Sequence, residues 1–298
     1  MSNRADAPLR GIALICFAVI CFISMNTIVR YLGRAGYPVP EIIWARYIFH
    51  LLLIMAFFPR RITTLLVSKR KAMQVFRSVL VLLATVCMFF AVREMPLADA
   101  VALSFSAPLF AVGLSALILR EKVGLRRWGA VAIGFAGMLI IIRPGAGTLQ
   151  WAALLPVTMA LLYATYQIVT RMIRGAADPL NALFYTALVG AALASLVVPF
   201  FWRTPGLIDG LLLVSTGFFG GLGHYAVIMA YERAEVSVIA PFAYTELIWA
   251  TILGFMVFGD IPDPWTFVGA GVIVASGLYV LYRERRAAAP SVVPEASR

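Results

Sequence analysis

Charged side chains are scarce in this sequence. They make up 13% of its 298 residues, whereas soluble domains carry about 25%. Hydrophobic residues account for 62%, and a water-soluble chain of this length could not bury that much apolar surface. The composition therefore excludes a soluble globular protein and indicates an integral membrane protein.

Residues that commonly carry chemistry are also few. The chain has two histidines and three cysteines, and the cysteines lie inside apolar runs, without the spacing of a disulfide framework or a metal site. We expect no metal and no cofactor. The sequence has no G-x-x-x-x-G-K-[ST] motif, which is the phosphate-binding loop of many ATPases. Hydrolysis of ATP by this chain is therefore excluded. With no nucleophile motif and two distant histidines, a membrane-embedded enzyme is only a remote alternative.

The sequence consists mostly of long apolar runs. At about 20 residues per membrane span, the runs predict ten transmembrane helices. Their predicted bounds are 11–32, 40–58, 72–92, 97–119, 127–142, 150–172, 180–201, 208–231, 237–257 and 265–282.

The net charge of +11 comes from short basic clusters between these runs. With the N-terminus in the cytoplasm, 18 Lys and Arg residues fall on the cytoplasmic side and 5 on the outer side. This asymmetry predicts a multi-pass protein of the cytoplasmic (inner) membrane with both termini in the cytoplasm. The expected partners are the lipid bilayer and a small-molecule solute. Nucleic acid is not expected, and a homo-oligomer is compatible with the sequence but not required.

Two stretches of the chain resemble each other. Residues 91–121 align without a gap with residues 230–260, so that Phe105 meets Tyr244 and Glu121 meets Asp260. Each copy holds five helices, an odd number, and the second copy therefore enters the membrane from the opposite side. The predicted fold is all-α, with ten transmembrane helices as two inverted five-helix repeats. The predicted segments are a cytoplasmic N-terminal tail at 1–10, repeats at 11–145 and 149–284, and a disordered cytoplasmic tail at 285–298.

Polar side chains near the middle of a span need a partner, water or a function. Glu246 is the clearest case, because Phe242, Thr245, Glu246 and Trp249 share one face of a continuous ninth helix. A carboxyl and an indole on one face suit a cationic or aromatic solute, or proton cycling. The alternative is a protonated carboxyl that bonds a neighbouring helix.

Helix 6 presents Tyr163, Tyr166 and Gln167 at the same helical spacing. Asn26 in helix 1 aligns with Gln167, so the two amides are expected toward opposite membrane faces around a central cavity. The amides could instead hydrogen-bond neighbouring helices.

His224 and Tyr225 follow a glycine-rich stretch in helix 8. His224 is a candidate proton carrier together with Glu246, because its pKa lies near neutrality, or else a hydrogen-bonded interior histidine. In helix 4, Ser104 shares a face with Pro108, a candidate hinge that leaves a backbone carbonyl without its partner.

Two arginines within spans are assigned structural roles. Arg46, four residues before His50, lies close enough to a helix end to extend to the interface. Arg77 is interpreted as an interfacial anchor.

The motifs resemble a known family. Residues 96–145 read PLADAVALSFSAPLFAVGLSALILREKVGLRRWGAVAIGFAGMLIIIRPG, and residues 240–284 read APFAYTELIWATILGFMVFGDIPDPWTFVGAGVIVASGLYVLYRE. These stretches resemble the two EamA-type repeats of the drug/metabolite transporter superfamily. The resemblance implies a ten-helix carrier with a central cavity lined by helices 1, 3, 4, 6, 8 and 9.

The expected function is transport of a small organic metabolite across the cytoplasmic membrane by alternating access, by a secondary active or facilitative carrier. The main expectation is export of amino acids or related metabolites. The alternative is uptake of riboflavin, S-adenosylmethionine or a nucleotide-like solute, because the APFAYTELIWA pattern resembles the subset linked to such uptake. The residues expected to contact the solute are Asn26, Ser104, Tyr163, Tyr166, Gln167, His224, Tyr225, Tyr244, Thr245, Glu246 and Trp249.

Overall fold

A computed structural model describes residues 6–121, 123–143, 151–173 and 178–288. Its helices, numbered in chain order, are α1 (Asp6–Arg34), α2 (Val39–Phe57), α3 (Ile62–Leu65), α4 (Lys71–Glu94), α5 (Leu97–Ser104), α6 (Ala107–Ile118), α7 (Leu125–Ile142), α8 (Leu154–Met172), α9 (Pro179–Val197), α10 (Leu207–Arg233), α11 (Val236–Ala243), α12 (Glu246–Phe258) and α13 (Pro264–Ala288). Short 3₁₀ turns cover Pro59–Arg61, Trp151–Ala153 and Val198–Phe200.

Ten segments of the described chain are long and apolar enough to cross a membrane. Each predicted span overlaps one of them, with both bounds within two residues of the observed ones. Two spans are built from two helices each: α5 and α6 form the fourth span, and α11 and α12 form the ninth. The prediction of ten helices is confirmed, but these two spans are not continuous helices.

The two five-helix repeats interlock in the bundle. α1 of the first repeat packs against α10 of the second, and α8 of the second packs against α4 of the first in the matching way. α7 and α13, the last helices of the two repeats, pack against each other. This exchange of partners is what a two-fold relation between inverted repeats produces.

The number of spans is even, so α1 begins and α13 ends at the same end of the bundle. We call this the termini end and the opposite one the far end. α13 extends to Ala288, past the predicted start of the C-terminal tail at residue 285. The rest of that tail (289–298), the first five residues and the junction at 144–150 lie outside the described residues.

The α7–α13 contact depends on glycine. A Cβ atom placed on Gly269 would lie 2.6 Å from the carbonyl oxygen of Gly137. Further toward the termini end, the hydroxyl of Ser276 donates a hydrogen bond of 2.5 Å to the carbonyl oxygen of Ala130. Small residues allow the backbones to approach in this way in membranes, and the pair forms a scaffold beside the two broken spans.

Candidate functional site

The two broken spans meet in the interior of the bundle. The breaks fall at Phe105–Ser106 and at Tyr244–Thr245, which are matching positions of the two repeats. The Phe105 and Tyr244 rings contact each other edge to face, with centroids 5.0 Å apart. Non-helical backbone at membrane depth is tolerated where it is buried in protein or lines a water-filled cavity, so the breaks mark the centre of the bundle.

Three hydroxyl groups beside the breaks bond to their own helices. The side chains of Ser104, Ser106 and Thr245 donate to carbonyl oxygens three residues earlier, at 2.7, 2.7 and 2.6 Å. The hydroxyl protons of Ser104 and Thr245 are therefore used within the chain, and only their oxygen lone pairs remain for a solute. Pro108 is the second residue of α6, directly after the break, and its role as a hinge remains a prediction.

Tyr163 and Tyr166 of α8 form an aromatic platform. Their rings stack with centroids 5.5 Å apart and an interplanar angle of 26°. Tyr163 is 36% exposed, although its hydroxyl lies beside the Gln167 amide and within electrostatic range of Tyr231 and Glu246. Because Tyr163 is close to groups on α10 and α12 and is still accessible, we infer an internal cavity between these helices.

Glu246 is the first residue of α12 and lies on the Tyr163 side of that helix. The predicted stripe on one continuous helix is wrong, because the break separates Phe242 and Thr245 from Glu246. Phe242 packs instead with Ile15 and its neighbours between α1 and α10. The structure thus brings Glu246 together with Tyr163, and Trp249, 37% exposed, follows Glu246 in α12.

His224 lies in a second polar group. An Arg46 Nη2 atom is 3.4 Å from His224 Nε2, and the His50 ring lies parallel to the His224 ring with centroids 6.1 Å apart. The other terminal nitrogen of Arg46 donates to the Thr85 hydroxyl. The ring of Phe22 contacts His224 edge to face at 5.0 Å. Helices α1, α2, α4 and α10 therefore converge on His224.

The predicted placement of the Arg46 and Arg77 side chains at the membrane interfaces is wrong. Both side chains point into the bundle and are 4% and 2% exposed, so neither extends to an interface. Arg77 donates 2.5 Å to the carbonyl oxygen of Ala182 on α9, and its guanidinium carbon lies 5.2 Å from the centre of the Tyr166 ring. The sequence did contain a signal for this inward orientation. Both arginines lie within apolar runs, and charged residues in such runs usually face the interior of a helix bundle.

Three predicted residues lie apart from these two groups. Tyr244 packs against Phe105, and its hydroxyl approaches Gly277. Tyr225 contacts the Phe58 ring at 6.0 Å, near the termini end. Asn26 is 4% exposed and its Oδ1 atom has no hydrogen-bond partner in the structure.

Each end of the bundle carries an ion pair between matching repeat positions. Arg30 and Asp260 are in direct contact at the far end, with Phe258 beneath the Arg30 guanidinium at 4.7 Å. Their counterparts at the termini end, Arg171 and Glu121, are 3.8 Å apart. The two pairs connect equivalent helices of the two repeats.

Within the described residues, no group of three or more His, Cys, Asp and Glu side chains is arranged to hold a metal ion. The polar interior instead offers an aromatic platform, one carboxyl, two guanidinium groups and two imidazoles. Such groups can bind a solute by stacking, hydrogen bonding and charge, and they provide no arrangement of a nucleophile with its base.

Comparisons with known proteins agree with this architecture. The chain is 25% identical over 287 residues to an S-adenosylmethionine uptake transporter of Rickettsia conorii, covering 96% of this chain and 97% of the relative. It is 28% identical over 283 residues to a riboflavin transporter of Vibrio cholerae, covering 94% and 95%. A solved crystal structure superimposes with a TM-score of 0.64 at 17% identity, over 96% of this chain and 100% of the other, and supports the fold.

The sequence model of one transporter family matches both halves of the chain, at residues 9–143 and 150–282. The two matches cover nearly the whole sequence and divide it where the repeat is predicted to divide. The ten-span architecture of paired five-helix repeats is the one that this family has. The chain belongs to the EamA-like transporter family.

Proposed function

We propose that this chain is a carrier that takes up a solute with a flat heteroaromatic ring, of the kind named for its relatives: S-adenosylmethionine or riboflavin. The comparisons favour this uptake alternative over the main expectation of amino-acid export, because the relatives compared here carry uptake and vitamin-transport names. The same transporter names support a carrier over a membrane-embedded enzyme.

The observation that carries the proposal is the stacked Tyr163–Tyr166 pair in the bundle interior. Adenine and isoalloxazine rings both stack on aromatic side chains, and such stacking contributes about 1–3 kcal/mol per base. Tyr163 is accessible within the cavity, so its platform is free to receive a ring.

Alternating access would use the two ion pairs at opposite ends of the bundle. Closing the Arg30–Asp260 pair shuts the far end, while separation of Arg171 from Glu121 opens the termini end. Since the pairs occupy matching positions of inverted repeats, rocking one repeat against the other would exchange their states. We place the termini end in the cytoplasm, because the Lys and Arg excess lies there.

We propose that uptake is driven by proton coupling through Glu246 or His224. Glu246 lies within electrostatic range of Tyr163, whereas the Arg46 guanidinium beside His224 opposes a second positive charge on that ring, so Glu246 is the favoured carrier. In liposomes with an imposed pH gradient, Glu246→Gln is expected to remove the acceleration that the gradient gives to uptake. Uptake that ignores the gradient in the unmodified protein, together with normal uptake by Glu246→Gln, would remove coupling from the proposal.

The function is tested by uptake of labelled S-adenosylmethionine and labelled riboflavin into liposomes that contain the purified protein. Tyr163→Leu is expected to lower the initial rate about tenfold through the lost stacking. Tyr279→Leu on α13 is the matched control, because this tyrosine is 41% exposed and outside the two polar groups. Failure of both solutes to enter would contradict the proposal, as would equal effects of the two substitutions.

A further inference from the structure

Two buried arginines face the cavity without an acidic partner. None of the ion pairs in the described part of the chain includes Arg46 or Arg77. Their hydrogen-bond partners are neutral: the Thr85 hydroxyl and the His224 ring for Arg46, and the Ala182 carbonyl and Thr186 hydroxyl for Arg77.

Both arginines also have bonding capacity to spare. The Nε–H groups of Arg46 and Arg77 are buried and have no hydrogen-bond partner in the structure. A buried charge with neutral partners leaves most of its desolvation cost uncompensated, and within a membrane such a charge usually marks a substrate or ion pathway. Among the described residues, the two buried guanidinium groups therefore lack a negatively charged partner.

The guanidinium groups of Arg46 and Arg77 both influence the region around His224. Arg46 on α2 has its Nη2 atom 3.4 Å from His224 Nε2, and Arg77 on α4 acts electrostatically on the same ring. Arg77 also lies over the Tyr166 ring at 5.2 Å, so the positive region borders the aromatic platform. An anion near His224 would be within reach of both cations and beside the stacked tyrosines.

The negative side of the cavity is elsewhere. Glu246 lies within electrostatic range of Tyr163, and none of the ion pairs in the described part of the chain includes it. The cavity is thus polarised: two guanidinium groups stand at the Tyr166 side and one carboxyl stands at the Tyr163 side. This order suits a solute with separated charges of opposite sign and a flat ring.

We infer that Arg46 and Arg77 form an anion subsite that binds a carboxylate of the solute. Guanidinium groups bind carboxylates with paired, charge-assisted hydrogen bonds. The inference rests on the proposed function and deepens it: it selects a zwitterionic ring-bearing solute of the S-adenosylmethionine kind over a neutral one such as riboflavin. The cationic group of the solute would then face Glu246.

The test compares two ligands that differ in one group. S-adenosylmethionine and its decarboxylated form share the ring and the sulfonium, and only the first has a carboxylate. Dissociation constants of both are measured on the purified full chain. The protein is expected to bind S-adenosylmethionine at least tenfold more tightly, because hydrogen bonds between a guanidinium group and a carboxylate are stronger than those between neutral groups. Arg46→Gln and Arg77→Gln are expected to abolish this preference, while Arg46→Lys keeps part of it.

Arg93→Gln is the matched control, since Arg93 lies on α4 with Arg77 but is exposed and pairs with Glu94. It is expected to keep the full preference. Equal binding of the two ligands by the unmodified protein would overturn the subsite and leave the uptake proposal intact, and so would binding of riboflavin alone. Neither measurement depends on whether a substituted chain folds.

If neither S-adenosylmethionine nor riboflavin is bound or taken up, the uptake proposal itself fails. The subsite is then judged with nicotinate and nicotinamide, which share a ring and differ in carboxylate against amide. Stabilisation of the purified protein against heat by nicotinate alone, lost in Arg46→Gln, supports the subsite. Equal shifts with the two compounds overturn it.

Discussion

The two ends of the bundle are built from equivalent residues but differ in packing. At the far end, Arg30 is 2% exposed and in contact with Asp260. At the termini end, the side chains of the equivalent Arg171 and Glu121 are 58% and 49% exposed and their charged groups are 3.8 Å apart. The Arg30–Asp260 pair is largely buried by the surrounding helices, whereas the Arg171–Glu121 pair is exposed.

The amides one turn away repeat this difference. Asn26, toward the far end, is 4% exposed, whereas Gln167, its equivalent toward the termini end, is only partly buried and borders Tyr163. Two independent positions thus show the same asymmetry. In a carrier with inverted repeats such asymmetry would distinguish the two access states, and we infer that this structure has the far end closed and the termini end open.

The largest expected effect comes from breaking the far-end pair. Asp260→Asn leaves the Arg30 guanidinium buried without its counter-charge, and we expect a loss of about 3 kcal/mol of stability. Thermal unfolding in detergent measures this loss. The double variant Arg30→Gln with Asp260→Asn removes both charges and is expected to lose less than Asp260→Asn alone. A double variant as unstable as the sum of its single variants would show that the contact contributes nothing.

A second prediction concerns the α7–α13 scaffold, in which the last helices of the two repeats pack against each other. Gly269→Ala places a methyl group 2.5 Å from Ile141 Cγ1, and we expect a loss of about 2 kcal/mol from overpacking. Gly271→Ala, two residues away with nothing within 4 Å of its added methyl group, is expected to leave the unfolding temperature unchanged or raise it. Equal unfolding temperatures for the two variants would contradict the close helix approach.

The smallest expected effect is at the termini end. Glu121→Gln removes one charge of an exposed pair, and such pairs contribute about 0.5 kcal/mol in double-mutant cycles. We expect its unfolding temperature to lie close to that of the unmodified protein, unlike that of Asp260→Asn. Similar losses in these two variants would contradict the assignment of one closed and one open end.

Sequence patterns were sufficient for the number and bounds of the spans, because runs of about 20 apolar residues between charged loops have few interpretations. They indicated one of the two helix breaks, because Pro108, the predicted hinge, is the second residue of α6 and follows the break at Phe105–Ser106. They did not reveal the break at Tyr244–Thr245. Hydropathy continues across that step, and no proline or glycine occupies it.

The candidate site stays a prediction. Tyr163, Gln167 and Glu246 were expected in one cavity, and in the structure Gln167 hydrogen-bonds Tyr163 while Glu246 lies within electrostatic range of it. Arg46 and Arg77 were assigned to interfaces, because depth along a helix does not tell which way a side chain points. Only the partners of Arg46 on other helices, Thr85 and His224, give its direction, and these contacts join residues far apart in sequence.

The account depends on access that alternates between the ends, and paired cysteine labelling tests this directly. Asn26→Cys and Gln167→Cys are prepared in a chain whose Cys16, Cys21 and Cys87 are replaced by alanine, and labelling by a water-soluble maleimide is timed. We predict faster labelling at position 167 than at position 26 without solute, and changes of opposite sign at the two positions when S-adenosylmethionine is added. Equal rates without solute, or rates that rise or fall together when it is added, would contradict the account.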